Sequence, residues 1–180
     1  MEKNRLALDA VAPDFYLPGV DEKNYSLKTF SEKSVLIIVF SCNHCPYVKA
    51  YEDRIIALQN EFQDKGVAFV AINANETTLH PEDTFEKMVV RAREKKFNFP
   101  YLRDEDQKVA EAYGAQYTPE IFLLDAKRSL QYTGKIDDNW QNENEVNTRF
   151  LRDAIVATLA GLPIDSPETH AVGCTIKWAK

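Results

Sequence analysis

The feature that most constrains the fold is an apolar strand that leads directly into two closely spaced cysteines and then into a helix. The segment Val35–Phe40 is apolar and rich in β-branched residues, which is typical of a central strand covered on both faces. Cys42 and Cys45 follow it, and Pro46 suits the first turn of a helix, where a missing N–H costs little. The pattern predicts a dithiol at a strand-to-helix turn, where free backbone N–H groups and the helix dipole favour a thiolate.

The residues after Pro46 carry an apolar face with the spacing of a helix. The residues on this face are Val48, Tyr51, Ile55, Leu58 and Phe62. A second apolar run at 67–72 predicts another buried strand, so that strand, helix and strand form a right-handed βαβ crossover. The other predicted elements are helices at 81–96, 106–113 and 145–160 and a hairpin of strands at 121–124 and 130–134 at the sheet edge.

The two ends of the chain complete the predicted architecture. The segment 11–18 alternates apolar and polar residues around two prolines, which suits an edge strand or hairpin before the main sheet. Residues 163–180 show no clear periodicity, and we expect an irregular tail packed on a single domain that spans 1–180. The fold class predicted is therefore α/β, with a central mixed β-sheet flanked by helices and the dithiol at the carboxyl end of a central strand.

Composition narrows the partners and the compartment. The 180 residues are 44% hydrophobic, which fits one domain with a full core. A net charge of -6 without a block of Lys or Arg argues against nucleic-acid and anionic membrane partners. The N-terminal segment 1–6 lacks the apolar region of a signal peptide, and three cysteines do not make a disulfide scaffold. We therefore expect a cytoplasmic protein.

Five segments carry a resemblance to a known family: Ala12–Leu17, Cys42–Tyr47, Thr118–Glu120, Gly134–Asp138 and Gly173–Trp178. They resemble the thioredoxin-like redoxin superfamily, which also contains the peroxiredoxins of the AhpC/TSA group. The last segment is similar to the tail of a small bacterial branch described only as thioredoxin family proteins. The resemblance implies a thioredoxin-like fold and thiol–disulfide exchange, and we expect neither a cofactor nor a metal.

The roles of the two thiols follow from their positions. Cys42, expected to be the more exposed and the nearer to the helix N-terminus, is the predicted nucleophile, and Cys45 is the predicted resolving thiol. Attack of Cys42 on a disulfide gives a mixed disulfide, which Cys45 then releases. His44 lies between them and is predicted to favour the Cys42 thiolate. Its placement resembles that in oxidising members of the superfamily and implies a more oxidising couple; the alternative is an exposed residue with no tuning role.

Two further site residues rest on the resemblance. Thr118-Pro119 is similar to the cis-proline pair of thioredoxin folds, whose loop faces the dithiol and offers backbone groups to an extended substrate; the alternative is an ordinary trans proline. Glu76 is similar to a glutamate in cytochrome-maturation thiol reductases, which implies proton relay to Cys45. A helix-capping loop is the alternative for Glu76. Leu36 departs from the thioredoxin pattern, which has a buried aspartate at this position.

The third cysteine, Cys174, allows three interpretations. A free cysteine is commonly a small buried hydrophobe, and that is the default here. A second resolving thiol is the sharper alternative. A zinc site of Cys42, Cys45, His170 and Cys174 is the third, although the spacing matches no compact zinc module. The segment 137–139 is predicted to be a solvated turn.

Three functions are open on sequence alone. The first is a thiol–disulfide oxidoreductase that acts on protein or small-molecule disulfides and takes electrons from a thiol donor. The second is a peroxiredoxin, but the threonine and proline of Pro-x-x-x-Thr-x-x-Cys are missing: Val39 and Val35 precede Cys42, and Cys42 and Ile38 precede Cys45. The third is a redox-sensing or metal-binding module without turnover.

Overall fold

The structure, a computed structural model, describes residues 5–180. Residues 1–4 lie outside the described residues. They are part of the predicted domain 1–180 and of the N-terminal segment 1–6, which is predicted not to be a signal peptide. The strands are β1 (Leu17–Pro18), β2 (Asn24–Tyr25), β3 (Val35–Phe40), β4 (Val67–Asn73), β5 (Tyr101–Arg103), β6 (Tyr117–Thr118), β7 (Glu120–Leu124), β8 (Leu130–Gly134) and β9 (Cys174–Thr175). The α-helices are α1 (Pro46–Phe62), α2 (Phe85–Lys95), α3 (Lys108–Tyr113) and α4 (Phe150–Ala160).

The main sheet has five strands in the order β5-β4-β3-β7-β8. Strands β3, β4 and β5 are parallel, whereas β7 runs antiparallel to both β3 and β8. Strands β1 and β2 form a separate antiparallel hairpin. These findings confirm the α/β class and the mixed sheet. A hairpin does precede the main sheet, but it overlaps the predicted segment 11–18 only at Leu17–Pro18.

The central strand β3 is buried on both faces. Its residues Val35, Ile37 and Val39 pack in one core with apolar side chains of α1 and α4. The alternate residues pack in a second core with side chains from α3 and from the N-terminal segment. An apolar run without alternation is what a strand with two covered faces requires, so the residues before the dithiol are held rigidly.

Two predicted helices start later than expected. The helix predicted at 81–96 is a 3-10 turn at Pro81–Asp83 followed by α2, because Thr84 adopts a ψ of 154° between them. The helix predicted at 106–113 begins at Lys108, after Gln107 in a left-handed conformation. Among residues 5–180, no helix has the length and apolar character needed to cross a membrane.

The third predicted helix, at 145–160, begins only at Phe150. The N–H of Asn147 donates to Asp138 Oδ1, and the N–H of Asp138 donates to Thr148 O. These bonds hold the segment before Phe150 against the loop that follows β8, and Val146 is extended. The tertiary contacts thus override the helical pattern of the sequence.

The tail predicted to be irregular contributes a strand. Strand β9 pairs antiparallel with β6, with Cys174 opposite Thr118. Beyond it, the Ile176 N–H donates to Gln116 O and the Lys177 N–H donates to Asn75 Oδ1, at 2.8 and 2.9 Å. A strand of two residues is too short to show alternation, which explains why the sequence did not reveal it.

At Gly173 the tail lies too close to the loop before β7 to leave room for a side chain, and a substitution there tests this close approach. A Cβ added there would lie 2.2 Å from Thr118 O, which is backbone. We expect Gly173→Ala to lower the free energy of unfolding by about 1–3 kcal/mol, because neither backbone can yield without breaking the β6–β9 pair. Urea denaturation measures this change. Val172→Ala, on an exposed neighbour, is the control and should change stability little; equal stability of the two variants would contradict the close approach.

Candidate active site

The register of two strand pairs brings the dithiol to Thr118. In the antiparallel pair of β3 and β7, Phe40 lies opposite Glu120. Continuing this register by two residues sets Cys42 beside Thr118, and Cys42 Sγ lies 3.5 Å from Thr118 Oγ1. Cys45 Sγ lies 3.4 Å from Thr118 O. The Thr118-Pro119 peptide bond is cis, as the family resemblance implied.

The third cysteine reaches the same place from the tail. Cys174 lies opposite Thr118 in the β6–β9 pair, and its Sγ is 2.8 Å from Cys45 Sγ. All three cysteines are free. Cys42 is 3% exposed and Cys45 is 0% exposed, whereas Cys174 is partly exposed. The default prediction of a buried spectator is therefore wrong for Cys174, which contacts the dithiol.

The loop of Thr118 differs from the prediction in one respect. The resemblance implied that this loop offers its backbone to an extended substrate. In the structure, Thr118 is paired with Cys174 of β9 instead. A substrate strand cannot pair along that edge while the tail occupies it.

The helix N-terminus favours the second thiol rather than the first. Helix α1 begins at Pro46, and Cys45 is its N-cap residue. The partial positive charge of a helix N-terminus acts within its first turn. The expectation that Cys42 lies nearest the helix N-terminus is therefore wrong, although Cys42 is marginally the more exposed of the two.

A buried carboxylate, Asp83, lies beside Cys42, and the sequence analysis missed it. Asp83 is 0% exposed and accepts hydrogen bonds from the Asn43 N–H at 2.7 Å and from the amides of Asn73 and Asn75 at 3.2 and 3.0 Å. His44 Nδ1 lies 2.7 Å from Asp83 Oδ2, without the geometry of a hydrogen bond. This network fixes the loop that carries the dithiol.

Asn43, inside the cysteine motif, ties that loop to two further elements. Its side-chain amide donates to Glu82 O at 2.9 Å, and its Oδ1 accepts from the Tyr101 hydroxyl at 2.8 Å. Buried polar groups need such partners, since an unpaired one costs about 1–3 kcal/mol. The sequence signal for this role was a polar residue between two buried cysteines, but its partners lie far along the chain.

The surroundings shift the pKa values of Cys42 and Cys45 in opposite directions. The hydrogen bond with Cys45, burial and the charge of Asp83 raise the pKa of Cys42, and the Thr118 hydroxyl lowers it. The hydrogen bond from Cys42 does most to lower the pKa of Cys45, with help from Cys174 and against burial. The surroundings therefore favour a negative charge more on Cys45 than on Cys42, the predicted nucleophile.

His44 lies near Cys42, and its contacts are with Asp83 and His80. Its ring is paired with Asp83 and stacks in parallel on His80 with 5.9 Å between centroids. Because a His44 nitrogen, an Asp83 oxygen and Cys42 Sγ lie within 4.8 Å of one another, a protonated His44 offsets the Asp83 charge near Cys42. It is partly buried rather than a free surface residue.

Glu76 is bonded within its own loop and does not cap the 3-10 turn that follows. Its carboxylate accepts from the N–H groups of Thr78 and Leu79, at 2.9 and 3.2 Å, and lies 3.7 Å from His80. These contacts turn Glu76 to its own loop. The buried carboxylate at the dithiol is that of Asp83, so the relay predicted for Glu76 lacks support.

The remaining predictions have clear outcomes. Within residues 5–180, the groups close enough to hold a metal are Cys42–His44–Asp83 and His44–His80–Glu82. His170 joins neither and packs edge-on against Tyr117, so the zinc set that includes it is not assembled there.

The predicted solvated turn is wrong for Asp137, which is buried and pairs with Arg54 at 2.7 Å. Leu36 is fully buried in the core.

The comparisons with known proteins agree with this geometry. The sequence profile named Redoxin matches residues 7–149. The chain belongs to the Redoxin family. It is similar to the thiol-disulfide oxidoreductase ResA of Geobacillus thermodenitrificans, with 27% identity over 126 residues that cover 69% of this chain and 67% of that protein.

This Redoxin chain is also similar to two further proteins. The Helicobacter pylori protein named "Putative peroxiredoxin bcp" is 30% identical over 115 residues, which cover 64% of this chain and 69% of that protein. The crystal structure of an uncharacterized conserved protein from Geobacillus kaustophilus is 38% identical, with a TM-score of 0.92. The match covers 99% of this chain and 96% of that one. The whole Redoxin chain, tail included, thus has a close counterpart in a solved structure.

The Asp83 charge gives a test of the site's electrostatics. In a protein with Cys42 as its sole thiol, made by Cys45→Ser and Cys174→Ser, the further change Asp83→Asn should lower the pKa of Cys42 by about 1, because it removes a buried negative charge. The pH dependence of the iodoacetamide alkylation rate measures this pKa. Asp138→Asn, at an exposed position, is the control. An unchanged or higher pKa in the Asp83 variant would rule out its electrostatic effect.

Proposed function

We propose that the protein is a thiol–disulfide oxidoreductase that uses Cys42 and Cys45 as its redox dithiol. The observation that carries this proposal is the meeting of both sulfurs at Thr118, at the first turn of α1. Two thiols held this close exchange protons and form a disulfide without large movement. The ResA relative at 27% identity supports the same class of reaction.

In the proposed mechanism, Cys42 attacks a substrate disulfide while the Cys45 sulfur accepts its proton. The attack forms a bond between Cys42 and one substrate sulfur and breaks the substrate disulfide; the other sulfur leaves as a thiolate and takes the proton from Cys45. Cys45, again a thiolate, then attacks Cys42 Sγ, forms the Cys42–Cys45 disulfide and releases the second substrate sulfur as a thiolate, which takes a proton from solvent. The substrate gains two electrons and the dithiol loses them, so a thiol donor must reduce the protein again.

The Thr118 hydroxyl and the Asp83 carboxylate have opposite effects on the pKa of Cys42. The hydroxyl lies 3.5 Å from Cys42 Sγ and stabilises a negative charge there. The Asp83 carboxylate opposes that charge, and His44 offsets the carboxylate when it is protonated. The reactivity of Cys42 therefore depends on its neighbours as well as on the helix.

The substrate class that we propose is a disulfide in a protein or a small molecule. Both sulfurs of the dithiol are almost completely buried, so only a disulfide that protrudes or is small comes within reach of Cys42. The cytoplasmic location expected from the sequence stays a prediction.

A thiol peroxidase is the second candidate, favoured by the 30% identity to the Helicobacter pylori relative named as a peroxiredoxin. The absent Pro-x-x-x-Thr-x-x-Cys pattern is against it. The residue at the threonine position before Cys42 is Val39, which belongs to the buried strand β3 and offers no hydroxyl to a peroxide. The residue at the same position before Cys45 is Cys42, which carries a thiol.

Replacing the nucleophile tests the proposed reaction. Cys42→Ser should reduce insulin-disulfide reduction with dithiothreitol to the uncatalysed rate, because the mixed disulfide can no longer form at that position. Peroxide consumption by the unaltered protein is measured in parallel. Turnover of peroxide without turnover of insulin would favour the peroxidase, and full insulin turnover by Cys42→Ser would refute Cys42 as the nucleophile.

The role of His44 has its own readout. His44→Ala should make the reduction potential of the dithiol more negative by on the order of 30 mV, which corresponds to about 1.4 kcal/mol for a two-electron couple. The reason is that without a protonated His44 the Asp83 charge near Cys42 has no opposing positive charge, which makes the reduced dithiol less stable. His170→Ala, a histidine away from Asp83, is the matched control. A potential that stays constant or rises in His44→Ala would contradict this account.

A further inference from the structure

We propose that Cys174 is a third redox thiol that takes the disulfide over from Cys42 and Cys45, so that Cys45–Cys174 is a second oxidised state of the protein. This inference rests on the proposed function, since the substrate's oxidation of the dithiol supplies the first disulfide. Cys174 Sγ lies 2.8 Å from Cys45 Sγ, and it approaches from the side of Thr118. Cys45 therefore lies between two thiols.

The exchange step balances without another reactant. Starting from the Cys42–Cys45 disulfide, the Cys174 thiolate attacks Cys45 Sγ. The Cys45–Cys174 bond forms, the Cys42–Cys45 bond breaks, and Cys42 leaves as a thiolate that takes up the proton lost by Cys174. The protein neither gains nor loses electrons, because one disulfide replaces another. The product has a free Cys42, ready for a second substrate.

The tail holds Cys174 in place rather than leaving it to diffuse. Before it, Gly173 lies so close to Thr118 O that a side chain would not fit. After it, the Ile176 N–H donates to Gln116 O and the Gln107 amide donates to Lys177 O, both at 2.8 Å. Backbone anchors on both sides of a thiol reduce the entropy cost of reaching the attacking geometry.

The pKa of Cys174 makes its attack on Cys45 easier after the Cys42–Cys45 disulfide has formed than before. In the reduced protein, burial and then the neighbouring Cys45 sulfur raise the pKa of Cys174 to about 11. Once Cys45 is in a disulfide, its contribution as a hydrogen-bonded and charged neighbour disappears. The Cys174 thiolate then becomes easier to form at the moment when its target disulfide exists.

Peptide mapping separates the two disulfides. Cys42 and Cys45 lie in one tryptic peptide, 34–49, whereas Cys174 lies in another, 153–177. The reduced protein is oxidised with a limiting amount of diamide, free thiols are trapped with N-ethylmaleimide in acid, and the digest is analysed by mass spectrometry. We expect a linked pair of peptides with maleimide on Cys42. In the Cys45→Ser protein that link should be absent, and in Cys42→Ser it should form directly.

The outcomes distinguish this inference from the proposed function. A disulfide confined to peptide 34–49, with Cys174 fully alkylated, would overturn the third thiol and leave the oxidoreductase standing. The absence of any disulfide would overturn both. A link to Cys174 that persists in Cys45→Ser would overturn the assignment of Cys45 as the target. Val172→Ala serves as a tail control and should retain the link, while Gly173→Ala should lose most of it.

Discussion

The site depends on strand register at Thr118. The antiparallel pair of β3 and β7 fixes Cys42 on one side of this residue, and the antiparallel pair of β6 and β9 fixes Cys174 on the other. A register slip of one residue would turn every side chain of a strand to its opposite face. Because β3 is buried on both faces, its register is strongly specified. The position of Cys42 beside Thr118 is therefore fixed as well.

The second constraint is a buried negative charge. Asp83 lies 2.7 Å from His44 Nδ1 and accepts hydrogen bonds from three nitrogen donors, which stabilise its charge where it lies. It nevertheless opposes a second charge on Cys42, while Cys45 gains from its neighbours. The loop that carries the thiols is anchored through Asn43, and the surroundings of the two sulfurs favour a negative charge more on Cys45 than on Cys42.

The sequence predicted what local patterns encode and missed what distant contacts decide. The run Val35–Phe40, the two cysteines and Pro46 were sufficient for the strand, the turn and the start of α1. The cis peptide at Thr118-Pro119 came from resemblance alone. Asp83, in contrast, contacts Asn43 across forty positions of the chain, and no local pattern marks an acidic residue as buried.

The tail shows the same limit more clearly. Cys174 contacts Cys45 over 129 positions, and its strand is too short for a periodic signal. The late start of α4 has a similar cause, because contacts with Asp138 override the helical pattern before Phe150. Pairing partners and buried charges are properties of the assembled fold.

The most direct test of the central claim is a redox titration of the Cys174→Ser protein in dithiothreitol buffers of graded potential, with the free thiols counted at each point. The account predicts one two-electron transition in which Cys42 and Cys45 become protected together. Thiols that stay alkylatable across the whole range, or that become protected only by linking separate molecules, would contradict it.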